Sequence, residues 1–287
     1  MRAESHGAPA PRDAPAATNR LSARGTGEPL PPVPARGVTV RWMGHATVLL
    51  RYGQQEIVTD PFLRLRLFHI RRHGDLPTFG ADYTGQHLTA LISHLHQDHL
   101  DIPSLRMLPA GSTVVVPPGA GHYLARRIPQ VVVELGVGQS LRAGEVVITP
   151  VAAMHGGRRS LGVEAAAQGY VVRGDASVYF AGDTGFFDGF AEVGATHHPD
   201  VALLPVWGYG PHLGRHHLTP RTAAHALSLV GAKVAVPIHW GTLKPLGVRA
   251  AGFLTEPPTE FARHAASLAP LADVRILRPC EETRIEA

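Results

Sequence analysis

Two β-sheets packed face to face and covered by helices, an α+β fold, is what the sequence predicts, on three observations. From Val38 onward, short runs rich in β-branched and aromatic residues recur, each bounded by Gly, Pro or Asp. Helical signals are few and fall unevenly among those runs, which fits packed sheets better than a regular βαβ series. A hydrophobic content of 44% in 287 residues supports a sizeable core.

The predicted strands are Val38 to Trp42, Thr47 to Tyr52, Glu56 to Thr59, Ala90 to Ser93, Thr113 to Val116 and Val131 to Leu135, then Glu145 to Ala152, Tyr170 to Arg173, Ser177 to Ala181, Val201 to Val206, Lys233 to Ile238 and Val274 to Leu277. The clearest helix has Thr219 as N-cap, Pro220 at its first position, an Ala/Leu-rich body to Val230 and Gly231 just past its end. Further helices are predicted over Pro103 to Leu108, Gly121 to Arg127 and Thr259 to Leu268. Residues 1–36 are rich in Ala, Pro, Gly, Ser and Arg without apolar periodicity and are expected to form a disordered tail before a domain spanning 37–287. No repeat of fixed short period is visible.

Composition narrows the chemistry. The single cysteine, Cys280, excludes an internal disulfide and leaves thiolate metal ligation without support. A net charge of +4 comes mostly from arginine, Lys233 and Lys244 being the only lysines. No basic run is interleaved with aromatics, so a nucleic-acid partner is not expected. No stretch approaches the roughly 18 uninterrupted apolar residues of a membrane span, and the N-terminus lacks a secretory apolar core, so the expectation is a cytoplasmic chain. The oddity is 18 histidines.

Several of those histidines fall where metal ligands are useful. Ser93-His94-Leu95-His96-Gln97-Asp98-His99-Leu100-Asp101 follows an apolar strand and leads into a helix. His94 and His96, two apart on extended backbone, point to one side and can grip one ion. Asp98 and His99, past the turn, can face a second.

This His-x-His-x-Asp-His spacing resembles the signature of the metallo-β-lactamase superfamily. The resemblance implies an αββα sandwich with metals at one edge of the sheets. It also implies further ligands in order: His155 after Val151-Ala152-Ala153-Met154, Asp183 in Ala181-Gly182-Asp183-Thr184, and His239 in Pro237-Ile238-His239-Trp240. On that pattern His94, His96 and His155 hold a first ion and Asp98, His99 and His239 a second, with Asp183 bridging. Two zinc ions are the expected cofactors; imidazole and carboxylate donors also suit iron or manganese. Asp60 in Thr59-Asp60-Pro61 resembles the family's aspartate that supports a metal histidine from behind. His45 in Gly44-His45-Ala46-Thr47 resembles the family too, with a place near the site or in packing both open.

Arg41 to Thr47, Thr59 to Pro61 and Ile238 to Thr242 are similar to the branch containing N-acylphosphatidylethanolamine phospholipase D and L-ascorbate-6-phosphate lactonase. Against that pattern, Gly156 and Gly157 follow His155 where the phospholipase-like members carry tryptophan. The branch implies a small-molecule or lipid-derived substrate and phosphodiester hydrolysis, with lactone hydrolysis as the alternative. A water bridged by the two ions, its pKa lowered toward about 7, would supply hydroxide, with Asp98 orienting it. His217, in His217-Leu218-Thr219-Pro220, stands where the branch places an active-site histidine and is the expected proton donor to the leaving group. The pocket rim is expected to include Phe62 and Leu63, Arg158 and Arg159 as an anion clamp, Trp207 and Tyr209 as stacking surfaces, and His212. A di-iron redox protein using the same ligands is the rival from another class.

Overall fold

The computed structural model describes residues 37–79, 87–156, 162–210, 212–248 and 252–286. The expected N-terminal tail and the Arg158–Arg159 clamp lie outside these residues. The first half runs β1 (Gly37–Gly44), β2 (Thr47–Tyr52), β3 (Gln55–Thr59), β4 (Arg66–Leu67), β5 (Ile70–Arg72), β6 (Leu88–Leu91), α1 (Ile102–Met107), β7 (Thr113–Val116), α2 (Gly121–Ala125) and β8 (Val131–Glu134). The second runs β9 (Leu141–Ala143), β10 (Val146–Ala152), β11 (Gln168–Arg173), β12 (Ser177–Phe180), α3 (Gly189–His197), β13 (Val201–Pro205), α4 (Pro220–Val230), β14 (Val234–Ile238), β15 (Leu243–Pro245), α5 (Pro257–Leu268), β16 (Asp273–Val274) and β17 (Glu282–Glu286).

Two seven-stranded sheets result, ordered β17-β1-β2-β3-β6-β7-β8 and β16-β14-β13-β12-β11-β10-β9, beside a small sheet β15-β5-β4. Both large sheets follow one rule. Read from β17 and from β9, three antiparallel pairings are succeeded by three parallel ones. The two sheets are therefore built alike, a likeness that leaves no short repeat in the sequence.

The period-2 pattern of each strand explains the layering. Val38, Val40 and Trp42 alternate toward the second sheet and meet Tyr170, Val172, Val178, Phe180, Leu203 and Val236 in the central core. The residues between them face outward. Met43, Leu49, Val58, Ala90 and Val114 pack with Leu105 of α1 and Leu124 of α2. Tyr179, Ala202, Leu204 and Ala235 pack with Phe190 of α3, Ala223 and Leu227 of α4 and Phe261 of α5. Helices thus cover both outer faces, giving the αββα sandwich.

Most predicted elements appear within a residue or two, and α4 is reproduced with its caps: Thr219 accepts from Thr222 N and Gly231 takes the left-handed conformation at φ 69°. The strand predicted to reach Ser93 stops at Leu91, because Ser93 N is taken by the Asp60 side chain instead of a ladder partner. Six elements, α3, β9, β17 and the three strands of the small sheet, carry too weak a local signal to read. α3 contains two glycines, and its Gly194 fits because a Cβ there would meet Leu229 O of α4 at 2.4 Å. β17 is mostly charged, and the small sheet is made of two- and three-residue strands. Phe62 and Leu63, expected at a pocket rim, are instead buried: Phe62 packs with Leu67, Ile70 and Leu243 under the small sheet and Leu63 joins the α1 side.

Candidate metal centre

The centre is assembled at the end of the sandwich where β3, β6, β10, β12 and β14 run out. β6 delivers Ser93 and His94, and the turn to α1 is closed by His99 N and Leu100 N, which both donate to His96 O at 3.1 and 2.8 Å. Asp101 then caps α1 and takes a two-point contact from Arg64, so the ligand-bearing turn is pinned at its far end. Gly182, ahead of Asp183, has φ 61°, and a Cβ on it would sit 2.6 Å from the Ser93 Cβ. The two sheets therefore approach closely where their acidic and imidazole groups meet. Tyr170 seals that approach by donating its hydroxyl to Ile92 O at 2.7 Å.

Two donor sets converge. His94 Nε2 lies 2.9 Å from His96 Nδ1, which lies 3.2 Å from His155 Nε2. In the other set His99 Nε2 is 3.2 Å from His239 Nε2 and 3.5 Å from Asp98 Oδ2. Asp183 stands between them, its Oδ2 3.2 Å from His99 Nε2 and 4.0 Å from His155 Nε2, and its Oδ1 3.1 Å from His239 Nε2. All seven predicted donors are thus gathered by seven chain positions spread over more than half the sequence.

The outer nitrogens of these rings are held, which turns the inner ones toward the centre. Asp60 accepts from Ser93 N at 2.7 Å and from His99 Nδ1 at 2.6 Å. The Ser93 hydroxyl donates to Asp60 at 2.5 Å and takes a hydrogen bond from His94 Nδ1 at 2.9 Å. One carboxylate therefore orients His99 directly and His94 through a serine. His155 Nδ1 donates to His216 O at 2.8 Å, and His239 Nδ1 to Trp207 O at 2.7 Å. Ser93 and the two carbonyls are absent from the sequence reading. The carbonyls have no sequence signal, because any residue type supplies one.

The electrostatics suit a cation. Burial alone would raise the Asp183 carboxyl, but the charges of the His239 and His99 imidazoles hold it well below the usual carboxylate range. Burial, then His99 and His155, pushes His94 well below an ordinary imidazole, and burial takes His155 to about 4. His99 is the exception: burial would lower it, but the three aspartates that face it, Asp183, Asp98 and Asp60, hold it well above an ordinary imidazole.

The fit to metal can be tested on distances. Two donors on one tetrahedral zinc at roughly 2.0–2.1 Å lie about 3.3 Å apart. The close separations within the sets are 2.9 to 3.5 Å, and the donor atoms of each set all lie within 4.8 Å of one another. Asp183 Oδ1 is buried with no hydrogen-bond partner among the described residues, an acceptor awaiting a positive group. The residues fit a metal.

Of the other predicted residues, His217 reaches the centre: its Nε2 is 3.5 Å from Asp183 Oδ2 while its Nδ1 is buried without a partner among the described residues. Trp207 contributes its carbonyl, its ring N–H being donated to Gly210 O within its own loop. Tyr209 is exposed, and burial followed by the charges of Asp98 and Asp183 raises its phenol to about 12. His212 is exposed. His45, left open by the sequence, is buried at the centre with Nε2 3.0 Å from Asp98 Oδ2.

Comparison with known proteins agrees with this architecture. Residues 55–240 match the family described as Beta-lactamase superfamily domain. A UPF0173 metal-dependent hydrolase of Methanoregula boonei is 32% identical over 219 residues, 75% of this chain and 87% of its own. Another from Rubrobacter xylanophilus is 31% identical over 261 residues, 86% of this chain and 96% of its own. Among solved structures, Igni18, a metallo hydrolase from Ignicoccus hospitalis, superposes with a TM-score of 0.67 at 24% identity over 87% of this chain and 99% of its own. CmlA, a diiron β-hydroxylase from Streptomyces venezuelae, does so at 0.62 and 19% identity over 91% of this chain and 55% of its own. The described residues include no helix long and apolar enough to cross a membrane. Sandwich, donor set and relatives agree: the chain belongs to the metallo-β-lactamase superfamily, as one of its metal-dependent hydrolases.

Proposed function

We propose that the protein is a dinuclear metallohydrolase acting on phosphodiesters, of the branch that contains N-acylphosphatidylethanolamine phospholipase D and L-ascorbate-6-phosphate lactonase. The observation that carries the dinuclear part is Asp183, one buried carboxylate set between three imidazoles on one side and His99, His239 and Asp98 on the other. His94, His96 and His155 would hold one ion, and Asp98, His99 and His239 the other. Zinc suits these donors, and such ions, when bound, supply acidified water as a nucleophile together with Lewis acidity toward the electrophile.

The chain's own groups do the rest. Asp60 and Ser93 keep His99 and His94 in the tautomers that present Nε2. Asp98 orients the attacking water, whose oxygen bonds to phosphorus as the bond from phosphorus to the leaving oxygen breaks. His217, beside Asp183, gives the proton from Nε2 to that leaving oxygen. Hydrolysis in preference to redox chemistry is supported by relatives above 30% identity, named metal-dependent hydrolases, whereas likeness to the diiron hydroxylase extends to the fold alone. The phosphodiester reading rests on the resemblance of Arg41 to Thr47, Thr59 to Pro61 and Ile238 to Thr242 to that branch.

Metal content of protein purified without added metal, read together with turnover of bis-p-nitrophenyl phosphate and a lactone panel with and without chelator, tests this. About two ions per chain and chelator-sensitive diester cleavage are expected. Turnover of lactones alone moves the substrate to carboxylic esters, and two irons without hydrolysis would overturn the reading. His217→Ala is expected to lower kcat by roughly 100-fold or more on a poor leaving group, and far less on p-nitrophenolate, which needs no proton. An equal loss on both substrates would remove the proton-donor role.

A further inference from the structure

The seven expected donors leave out a buried imidazole that sits among them. His45 is 1% exposed, and its Nε2 lies 3.0 Å from Asp98 Oδ2. Its ring centroid is 4.0 Å from that of His239 and 5.2 Å from that of His99. The donor atoms of His45, Asp98, His99 and His239 all fall within 4.8 Å of one another.

The backbone goes to some length to put the ring there. β1 shifts register against β2 between Trp42 and Gly44, Gly44 takes φ 99°, and His45 itself takes φ 55°. A side chain in the left-handed region costs on the order of 1–3 kcal/mol and persists only where the surroundings enforce it. Here they do. His45 N donates to Thr242 Oγ1 at 2.7 Å, and His45 O accepts from Trp42 Nε1 and from His239 N, both at 2.9 Å. The main chain of His45 is thereby tied to the segment that carries His239, which has φ 61° itself. The two residues are positioned as a unit, and the 3.0 Å from His45 to Asp98 falls within the 2.9 to 3.5 Å that separates donors elsewhere in the centre.

We propose that His45 is a fifth protein donor to the second ion, joining Asp98, His99, His239 and Asp183. The inference rests on the two-ion reading above. It makes the two positions unequal: the His94, His96 and His155 position, with Asp183, offers four protein donors, and the second offers five. Four donors match tetrahedral zinc, whereas five suit an ion that accepts higher coordination, such as manganese, iron or cobalt. The competing role is that of a positioning residue, with His45 hydrogen-bonding Asp98 from outside the coordination sphere.

The test uses the full chain, stripped with chelator and titrated with Co(II), followed by calorimetry and by visible absorption, which weakens as coordination number rises. The wild type is expected to bind two ions, one with intense bands and one with weak bands. His45→Asn, whose side chain tolerates positive φ, is expected to weaken the second ion by more than the roughly 10- to 100-fold typical of a lost outer partner, leave the first unchanged, and intensify the second-site bands. A second-site spectrum identical to wild type, with affinity changed within that range, would show His45 to act only on Asp98 and overturn the proposal. A count on the unmutated chain guards against misfolding of the variant. Paramagnetically shifted, exchangeable imidazole N–H resonances should number six if His45 binds beside His94, His96, His99, His155 and His239; five would overturn it. A wild type that takes up no cobalt would instead bring down the two-ion reading, and this proposal with it.

Discussion

Replacing Asp183 with Asn is expected to abolish the second bound ion and lower kcat/KM by more than about 1000-fold, while leaving the fold intact. The carboxylate is the group shared by both donor sets, with oxygens 3.1 to 3.2 Å from His239 and His99. Its loss removes an anion from the middle of the centre, and single preorganised electrostatic contacts at such sites are worth roughly 100- to 1000-fold by themselves. Stability of the metal-free protein should fall as well. A carboxyl held well below its usual range by the neighbouring imidazoles stabilises the fold at neutral pH, and the neutral amide forfeits that, so the metal-free variant should unfold below the metal-free wild type. Metal content, turnover and thermal unfolding of the same preparation check this together. A variant that keeps two ions and most of its activity would remove Asp183 from its bridging place.

Stripping the metal is expected to lower the melting temperature by roughly 8 to 16 °C. Ions bind the folded donor set and not the unfolded chain, since the seven side chains come from segments as far apart as His94 and His239. At free metal about 1000-fold above Kd, linkage stabilises the fold by about 4 kcal/mol, and a domain of this size shifts by roughly 2–4 °C per kcal/mol. The gain should rise with the logarithm of metal concentration and vanish on chelation. A shift below about 2 °C across that titration would mean that the cluster binds too weakly to matter for folding.

How much of this was legible beforehand differs by residue. His94, His96, Asp98 and His99 sit within six positions, so strand geometry and one turn suffice to place them. Thr219, Pro220 and Gly231 mark α4 because caps and φ preferences act over one turn of chain. Asp60 was legible as a strand-ending carboxylate, but its service to His99 directly and to His94 through Ser93 needed the approach of β3 and β6. α3 escaped notice because a helix with two glycines forms only when another helix packs on it. Phe62 was misplaced at the rim because an apolar residue in a turn looks the same whether it faces solvent or a small sheet that pairs Leu243 with Arg72, far apart in the chain.

The sequence by itself determined two packed sheets and the ligand-bearing turn from His94 to His99, since alternation, capping and local spacing are encoded over a few residues, while His155, Asp183 and His239 followed from the family resemblance. Tertiary structure alone decided which nitrogen of each ring faces inward, through the partners His216 O, Trp207 O and Asp60, and it alone brought His45 against Asp98. Those contacts join residues 32 to 61 positions apart, between loops at the ends of strands of one sheet, and how those loops meet depends on strand order that no local pattern specifies.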